Sequence, residues 1–313
     1  MIGRGISDFA GVTVQRCDTL IGPPLAYDLL DDATRRPDLS DALIQAIAHE
    51  MSADHSSNNI RRTYRGRYGE LDRDIAGLIP KLLPDQEAIT LHDAGASNAI
   101  TSVDLFEAIR HLSQVTMVAS DFQTTLRSVA LQDGWRAIFG ASLDLLQIVG
   151  PGIVLPVQLR RRFRKSPLVW LKTRLLAARL GPQAQDILSG IAPGQIREID
   201  LFHPKARTLA QSEPRFSLQS ADLTTLPAGS TDVLRVMNVL FKWPRRHRIE
   251  VYPALIKALK PGGLLILGSG GIRVNKHVRC TVFRLEGRRL IPVYECGDGF
   301  ENRDEILAHW NGT

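Results

Sequence analysis

The chain has 313 residues, of which 44% are hydrophobic and 23% are charged, which is typical of a globular protein that can bury a large core. Its 39 basic and 33 acidic residues give a formal net charge of +6, an excess too small to indicate a nucleic-acid-binding protein. No apolar run is long enough for a transmembrane helix and no secretory signal begins the chain, so we expect a cytoplasmic protein without membrane spans.

Residues 1–85 are predicted to form a helical N-terminal region. Asp41 to Ala48 and Leu71 to Leu83 both carry apolar residues at helical spacing. The segment between them is polar and rich in arginine, and in it Tyr64 and Tyr68 stand four residues apart. These tyrosines are interpreted either as half-buried packing residues or as part of a lid over a cofactor.

Residues 86–313 are predicted to form the main domain, in which strands and helices alternate. Two predicted strands, each followed by a predicted helix, come first: Ala88 to His92, Thr101 to His111, Val115 to Ala119 and Phe122 to Ala130. The later segments that continue the alternation are Phe216 to Ser220, Val233 to Met237, Ile249 to Leu259 and Leu264 to Leu267. Such a pattern predicts a parallel sheet covered by helices.

The last two strands have a different pattern. Cys280 to Leu285 and Leu290 to Glu295 flank a short turn at Gly287, which predicts a hairpin. This hairpin would give an otherwise parallel sheet an antiparallel strand at its end.

An insertion is predicted at about residues 132–195. It contains a predicted hairpin from Trp135 to Val149, the basic run Arg160 to Lys165, and a helix that begins near Leu168 and carries further Lys and Arg residues. The basic helix is interpreted either as a solvated face packed on the domain or, through residues 160–180, as a contact with an anionic membrane surface. Nucleic acid is the less favoured partner, because few aromatic residues are interleaved with the basic ones.

The cysteines do not indicate a metal site. Cys17, Cys280 and Cys296 are far apart in the sequence and have no histidine at metal-ligand spacing. We therefore expect free thiols, and neither a disulfide framework nor bound metal.

The turn after the first predicted strand is the strongest candidate for ligand binding. Asp93, Gly95 and Ser97 follow the strand, and an acid-x-Gly turn that opens a helix lets the backbone approach a nucleotide-like ligand closely. The dinucleotide fingerprint needs two further glycines, but Ser97 and Ala99 stand near those positions. The sequence therefore favours a ligand without a pyrophosphate.

Other polar residues follow later strands, where ligands bind in open α/β sheets. Asp121 follows the second predicted strand, and a carboxylate there can accept hydrogen bonds from both hydroxyls of a ribose. Asp222 and Leu223 follow a third strand and could contact an adenine, while Asn238 follows a fourth. Asp93 and Asp121 are also interpreted as helix caps, and Asn238 as a loop anchor.

Together with Lys260-Pro261-Gly262-Gly263 before an apolar strand, these residues resemble the class I S-adenosylmethionine (SAM)-dependent methyltransferases, from about Tyr64 to Cys296 outside the insertion. The resemblance implies an α/β fold with a Rossmann-like seven-stranded sheet and a terminal antiparallel hairpin. It also implies SAM as cofactor, with Asp93, Gly95 and Ser97 at the methionine moiety, Asp121 at the ribose and Asp222 near the adenine. Asp93 to Ser97, Ser120-Asp121 and Arg235 to Phe241 are also similar to the chemotaxis-receptor glutamate methyltransferases.

A second alignment assigns the contact with the ribose to another acidic residue. Ile196 to Leu201 and Pro204 to Ala210 also have the pattern of a strand and a helix, which would place Asp200 at the end of the second strand. We prefer Asp121, because a strand normally follows its predecessor after a short connection.

Methyl transfer is therefore the predicted reaction, with a small-molecule or lipid-like acceptor. An in-line displacement depends mainly on alignment, so a general base is optional, and the candidate catalytic residues are Asn238, His247 and Tyr64. The alternatives are a protein carboxylate methyltransferase, a nicotinamide-dependent oxidoreductase, and a non-catalytic SAM-binding or membrane-peripheral regulatory protein.

Overall fold

The computed structural model describes residues 26–34, 43, 46–47, 63–157, 167–270 and 278–312. They belong to two compact units. The parallel-sheet unit contains Tyr64–Thr124 and Phe202–Thr313, and the antiparallel-sheet unit contains Met1–Thr63 and Thr125–Leu201. The helix predicted at Asp41 to Ala48 falls mostly outside the described residues, and Cys17 and the basic run Arg160 to Lys165 fall wholly outside them.

The strands, in chain order, are β1 (Ile89–Ala94), β2 (Val115–Asp121), β3 (Thr125–Ala130), β4 (Arg136–Phe139), β5 (Leu145–Gly150), β6 (Ile153–Pro156), β7 (Ile196–Asp200), β8 (Phe216–Ser220), β9 (Thr231–Met237), β10 (Leu259–Ser269), β11 (Arg279–Glu286) and β12 (Arg289–Cys296). The α-helices with defined bounds are α1 (Leu29–Thr34), α2 (Gly69–Leu82), α3 (Ile100–Ile109), α4 (Pro167–Leu188), α5 (Pro204–Ser212), α6 (Arg245–Ala258) and α7 (Arg303–Asn311).

The parallel-sheet unit is built on a seven-stranded sheet with the order β12-β11-β10-β9-β1-β2-β8. The five neighbouring strands β10, β9, β1, β2 and β8 pair in parallel. The strand β11 is antiparallel to β10, and β12 is antiparallel to β11. The predicted α/β class, with a mostly parallel seven-stranded sheet that ends in an antiparallel hairpin, is therefore confirmed.

Helices cover both faces of this sheet. Successive side chains of a strand point to opposite faces, so each strand packs against both layers of helices. On β9, Val233 and Met237 face the cluster that includes α2, α3 and α5, while Leu234 and Val236 face the cluster that includes α6 and α7. Arg235 lies between Val233 and Met237 in this alternation and is completely buried. A charged residue at such a position needs a buried partner.

The antiparallel-sheet unit is a five-stranded sheet with the order β6-β5-β4-β3-β7, in which each neighbouring pair is antiparallel. Ala184 of α4 packs against one face, with Ala137 and Phe139. Ile138 turns to the other face and packs with Ala26, just before α1. The predicted hairpin of the insertion is present here as β4 and β5.

Ion pairs join the α1 segment to the same sheet. Arg136 Nε lies 2.6 Å from Asp28 Oδ2, and Arg197 Nη1 lies 2.6 Å from Asp32 Oδ1. The α1 segment and the inserted segment are thus grouped in one unit, whose inserted part runs from Thr125 to Leu201, beyond the expected bounds of 132–195. Helix α2, expected to belong to an N-terminal region, packs in the parallel-sheet unit.

One predicted helix is wrong. Phe122 to Ala130 was expected to be helical, but Thr125–Ala130 is the strand β3, which pairs with β4 on one side and β7 on the other. Leu126 and Val129 stand at helical spacing, yet they pack on opposite faces of the sheet. A short strand covered on both faces can therefore imitate the spacing of a helix.

Within the part of the chain that the structure describes, no helix combines the length and the apolar character that crossing a bilayer requires.

Candidate functional site

The strand order reverses between β1 and β9. From β1 the chain builds the sheet outward through β2 and β8, then returns to the other side of β1 with β9 and β10. Open α/β sheets bind ligands beyond the carboxyl ends of the strands at such a switch point. The residues at that edge are Asp121, which ends β2, and the turn Gly95 to Ala99, Asn238 and Gly270, which follow β1, β9 and β10.

Asp93 is directed into the protein. It is 2% exposed and stands opposite Arg235 in the register of β1 and β9. Arg235 Nε lies 2.8 Å from Asp93 Oδ1 and Nη2 lies 2.6 Å from Oδ2, while Ser102 Oγ donates to Oδ2 at 2.5 Å. This carboxylate joins β1 to β9 and α3, so its role in the structure is to position the strand end.

A second carboxyl group, that of Asp72, also pairs with Arg235. Arg235 Nη1 lies 2.8 Å from Asp72 Oδ1, whereas Asp72 Oδ2 is buried without a hydrogen-bond partner. Burial raises the pKa of Asp72 to about 7, and the opposing effect of Arg235 does not cancel it. Burial by itself would lower the pKa of Arg235, but Asp93 and Asp72 raise it above its ordinary value. Arg235 therefore stays charged while Asp72 titrates near neutral pH.

The turn after β1 has little freedom to change. Gly95 has φ +75°, and a Cβ there would lie 2.6 Å from Val239 Cγ2. Ser97 and Ala99 also have positive φ, as does Asn238, although none of them is glycine. A left-handed backbone costs a non-glycine residue about 1–2 kcal/mol. Asn tolerates this conformation better, so the strain falls on Ser97 and Ala99, and strained backbone at the edge of a sheet makes this turn a candidate functional site.

The amides of this turn bond the end of β2. Ala96 N donates to Ser120 O at 2.8 Å, and Ser97 N donates to Asp121 Oδ2 at 2.7 Å. Asp121 Oδ1 accepts from Gln123 N at 3.2 Å. A carboxylate thus lies beside the amides of this turn, at the strand end where dinucleotide folds also have the acid that binds a ribose. The residues present suit the ribose of a nucleoside.

His203 holds the other side of the same turn. His203 N donates to Asn98 O at 2.8 Å, and its Nδ1 caps α5 by accepting from Lys205 N at 3.1 Å. Burial lowers the pKa of His203 to about 4, so the imidazole is neutral near pH 7 and can act as the acceptor.

The competing assignment of the second strand is wrong. Asp200 ends β7, which pairs with β3 in the five-stranded sheet, whereas β2 pairs directly with β1. Asp121 is therefore the acid at the end of the strand next to β1. Its contact with a ribose remains an expectation.

Asp222 and Leu223 follow β8. Asp222 Oδ1 accepts from both Thr224 N and Thr224 Oγ1 at 2.8 Å, which closes a local turn. Leu223 is buried in the cluster that includes Val239. These two residues lie at the predicted edge of the sheet.

Asn238 connects two strand ends to the start of α2. Its Nδ2 donates to Tyr68 Oη and, at 2.9 Å, to Gly270 O, and Gly270 N donates to its Oδ1 at 3.0 Å. Burial raises the pKa of Tyr68, so this phenol keeps its proton at neutral pH. The loop-anchor interpretation of Asn238 thus has direct geometric support, and Tyr68 is the tyrosine that it contacts.

Arg67 lies beside this cluster and was missed in the sequence. It is 9% exposed, its Nη2 donates to Gly270 O at 3.1 Å, and its guanidinium lies 5.2 Å from the centre of the Tyr68 ring. The only signal was its place in an arginine-rich segment before α2, which did not distinguish it from its neighbours.

The other predicted catalytic residues lie in different surroundings. His247 is exposed in the first turn of α6, and Tyr64 is half-buried, four residues before Tyr68. Among the described residues no group of His, Cys, Asp and Glu side chains could hold a metal ion, and Cys280 and Cys296 are free thiols.

Comparison with known proteins gives only distant structural similarity. No protein-family model and no curated protein matches the chain. Similar solved structures include the citrinin polyketide synthase CMeT domain, with 11% identity, a TM-score of 0.36, and coverage of 73% of this chain and 39% of that one. DszA carbon methyltransferase has 12% identity, a TM-score of 0.35, and coverage of 66% and 37%. Trans-methyltransferase CalH, in complex with SAH, has 13% identity, a TM-score of 0.33, and coverage of 74% and 41%.

This chain therefore spans about two fifths of the length of each of those proteins. These identities and TM-scores are too low to assign it to a family. The closer resemblance to chemotaxis-receptor glutamate methyltransferases is not shown by these comparisons.

Proposed function

We propose that this chain binds SAM at the carboxyl edge of the seven-stranded sheet and transfers its methyl group to a small-molecule or lipid-like acceptor. The observation that carries the proposal is the hydrogen bond from Ser97 N to Asp121 Oδ2 at the switch point. It puts an acid beside a tight acid-x-Gly turn, an arrangement suited to ribose hydroxyls, and the turn lacks the two further glycines of the dinucleotide fingerprint.

The chain offers separate groups for the parts of this cofactor. Asp121 would accept from the ribose hydroxyls, and Asp222 and Leu223 would contact the adenine. Arg67 would bind the carboxylate of the methionine moiety, because guanidinium pairs well with carboxylate. Gly95 and Ser97 would approach the cofactor through their backbone.

When bound, SAM supplies a methyl group on a sulfonium, which a nucleophile displaces in line. The protein's contribution is then alignment, and rigid placement of reactants can supply much of a rate enhancement. Asn238 and Tyr68 fix the ends of β9 and β10 against α2, which keeps this edge in one geometry. A hydroxyl or amine acceptor would need a general base to take its proton, for which the half-buried Tyr64 and the exposed His247 are the candidates, and a carboxylate acceptor would need neither.

Equilibrium binding is the experiment that tests this function. Calorimetric titration of the full chain should detect SAM and S-adenosylhomocysteine (SAH), and should detect NADH weakly or not at all. Absence of SAM and SAH binding would refute the proposal. Binding of both, without transfer of radiolabelled methyl to any of a panel of small-molecule and lipid acceptors, would instead favour a non-catalytic SAM-binding protein.

A further inference from the structure

Helix α4 packs on its sheet with one face only. Thr173 is buried, and Ala184 packs against Ala137 and Phe139. Gly181 is buried on the same side, where an added Cβ would contact Leu145. These positions recur at helical spacing, so they define the inner face of the helix.

The opposite face carries a second apolar stripe. Leu171, Leu175, Ala178 and Pro182 follow one another at spacings of four, three and four residues, and all four are exposed. Leu171 is 48% exposed and Leu175 is 62% exposed. A helix at the surface of a globular protein normally has polar residues here, so this stripe calls for a partner.

Basic residues border the stripe on both sides. Arg174 flanks it together with Trp170, and its guanidinium lies 5.1 Å from the centre of that ring. Lys172 and Arg179 flank the other side, and the first acidic residue of the helix is Asp186. We call Leu171, Leu175, Lys172, Arg174 and Arg179, with Trp170, Ala178 and Pro182, the outer face of α4.

We propose that the outer face of α4 binds an anionic lipid bilayer, with its apolar stripe towards the acyl chains and its cations among the headgroup phosphates. The charge sign and the aliphatic stripe carry this inference together. Lys and Arg extend their charged ends to the headgroups while their stems lie along apolar surface, and Trp occupies the boundary between the two.

This partner fits better than RNA or protein. RNA without a fixed sequence is bound through aromatic side chains that stack on bases, and Trp170 is the one aromatic residue in the α4 sequence. A protein interface core is depleted in charged residues, whereas three cations border this narrow stripe. The inference does not depend on methyl transfer, because it concerns α4 and not the edge of the seven-stranded sheet.

Vesicle sedimentation of the full chain tests the charges. The wild type should bind vesicles of phosphatidylcholine with phosphatidylserine, and bind phosphatidylcholine alone much more weakly. The triple variant Lys172→Gln, Arg174→Gln, Arg179→Gln should lose about a hundredfold in partitioning, since each cation contributes about fivefold. A control with the same charge change, Lys81→Gln, Lys257→Gln, Arg288→Gln, alters three exposed residues elsewhere and should bind as the wild type does.

A second pair of variants tests the apolar stripe. Leu175→Glu should abolish vesicle binding, whereas Ile291→Glu, at an exposed isoleucine on β12, should not. Both replaced side chains are exposed, so melting temperatures should stay near that of the wild type.

Three outcomes would overturn the proposal. They are a wild type that does not bind the anionic vesicles, a Leu175→Glu variant that binds them as the wild type does, and a triple variant that binds them as the wild type does. Binding of polyuridylate in place of vesicles would assign the face to RNA. A wild-type dimer that Leu175→Glu dissociates, with no vesicle binding, would assign it to a second copy of the chain.

Discussion

Arg235 and Asp93 face each other across β9 and β1 and form a doubly hydrogen-bonded ion pair that is removed from water, with N–O distances of 2.8 and 2.6 Å. The pair fixes the end of β1, from which the turn Gly95 to Ala99 begins. The candidate site is thus positioned by buried charge, and this has measurable consequences.

Loss of the arginine should strongly destabilise the fold. Arg235→Met leaves Asp93 buried without its cation, and breaking a buried pair in this way costs about 3–5 kcal/mol. Arg303→Met removes a solvent-accessible arginine that pairs with Glu295 and Asp304, and should change the unfolding free energy far less, because ion pairs in contact with water contribute little. Urea unfolding measures both. Equal effects of the two substitutions would contradict the role given to Arg235.

The contribution of Asp72 to stability should fall as pH rises towards neutrality. Burial raises the pKa of this carboxyl to about 7 in the folded state, so the folded protein binds more protons than the unfolded chain between about pH 4 and pH 7. The stability that Asp72 contributes is therefore complete below about pH 4 and is lost as the pH rises to about 7.

Asp72→Asn should remove this dependence. Relative to the variant, the wild type should lose about 2–3 kcal/mol of unfolding free energy between pH 5 and pH 8. Asp298→Asn, at an exposed acid, provides the control and should follow the wild type. Parallel pH profiles for Asp72→Asn and the wild type would show that Asp72 does not titrate in this range.

Substitution of Gly95 should weaken cofactor binding through Val239. Gly95 and Gly262 have similar φ angles of +75° and +77°, but an added Cβ meets Val239 only at Gly95. Gly95→Ala and Gly262→Ala both incur the cost of a left-handed alanine, and Gly95→Ala must also displace the loop after β9. We expect SAH affinity to fall about tenfold or more in Gly95→Ala alone.

The double variant Gly95→Ala, Val239→Ala should recover much of that affinity, since it removes the methyl group that collides. Failure of this rescue, measured by calorimetry, would mean that the Gly95–Val239 contact does not shape the site.

Arg67 should recognise the amino-acid part of the cofactor. Arg67→Met removes the proposed charged partner of the methionine carboxylate, and a hydrogen bond to a charged group contributes about 1.5–3 kcal/mol. SAM affinity should therefore fall between about tenfold and a hundredfold. The affinity for 5′-methylthioadenosine, which has no carboxylate, should stay within about twofold. An equal loss for both ligands would assign Arg67 a purely structural role.

The apolar strands of the parallel sheet could be predicted because their alternation with helices is strong in the sequence. The helix predicted in place of β3 failed, because Leu126 and Val129 pack on opposite faces of a sheet whose other strands are distant in the sequence. Arg235 gave a visible signal, a charge inside an apolar strand, but its partner Asp93 lies 142 residues away. Only the register of β1 and β9 joins the two.

Of the site, the acid-x-Gly turn and the acid after β2 could be predicted from residue type and position. Their mutual contact could not, because it depends on how the turn folds back over β2. Arg67 could not be predicted either, because nothing in the local sequence separates it from the arginines around it.

The most direct test of the central claim is the affinity of SAH for Asp121 variants, measured by calorimetry on the full chain. Asp121→Ala should weaken binding about a hundredfold, because two ribose hydroxyls lose a charged acceptor. Asp200→Ala, at the acid that ends β7, should bind SAH as tightly as the wild type. Unchanged binding in Asp121→Ala, with the protein still folded, would contradict the proposed site at the carboxyl edge of the sheet.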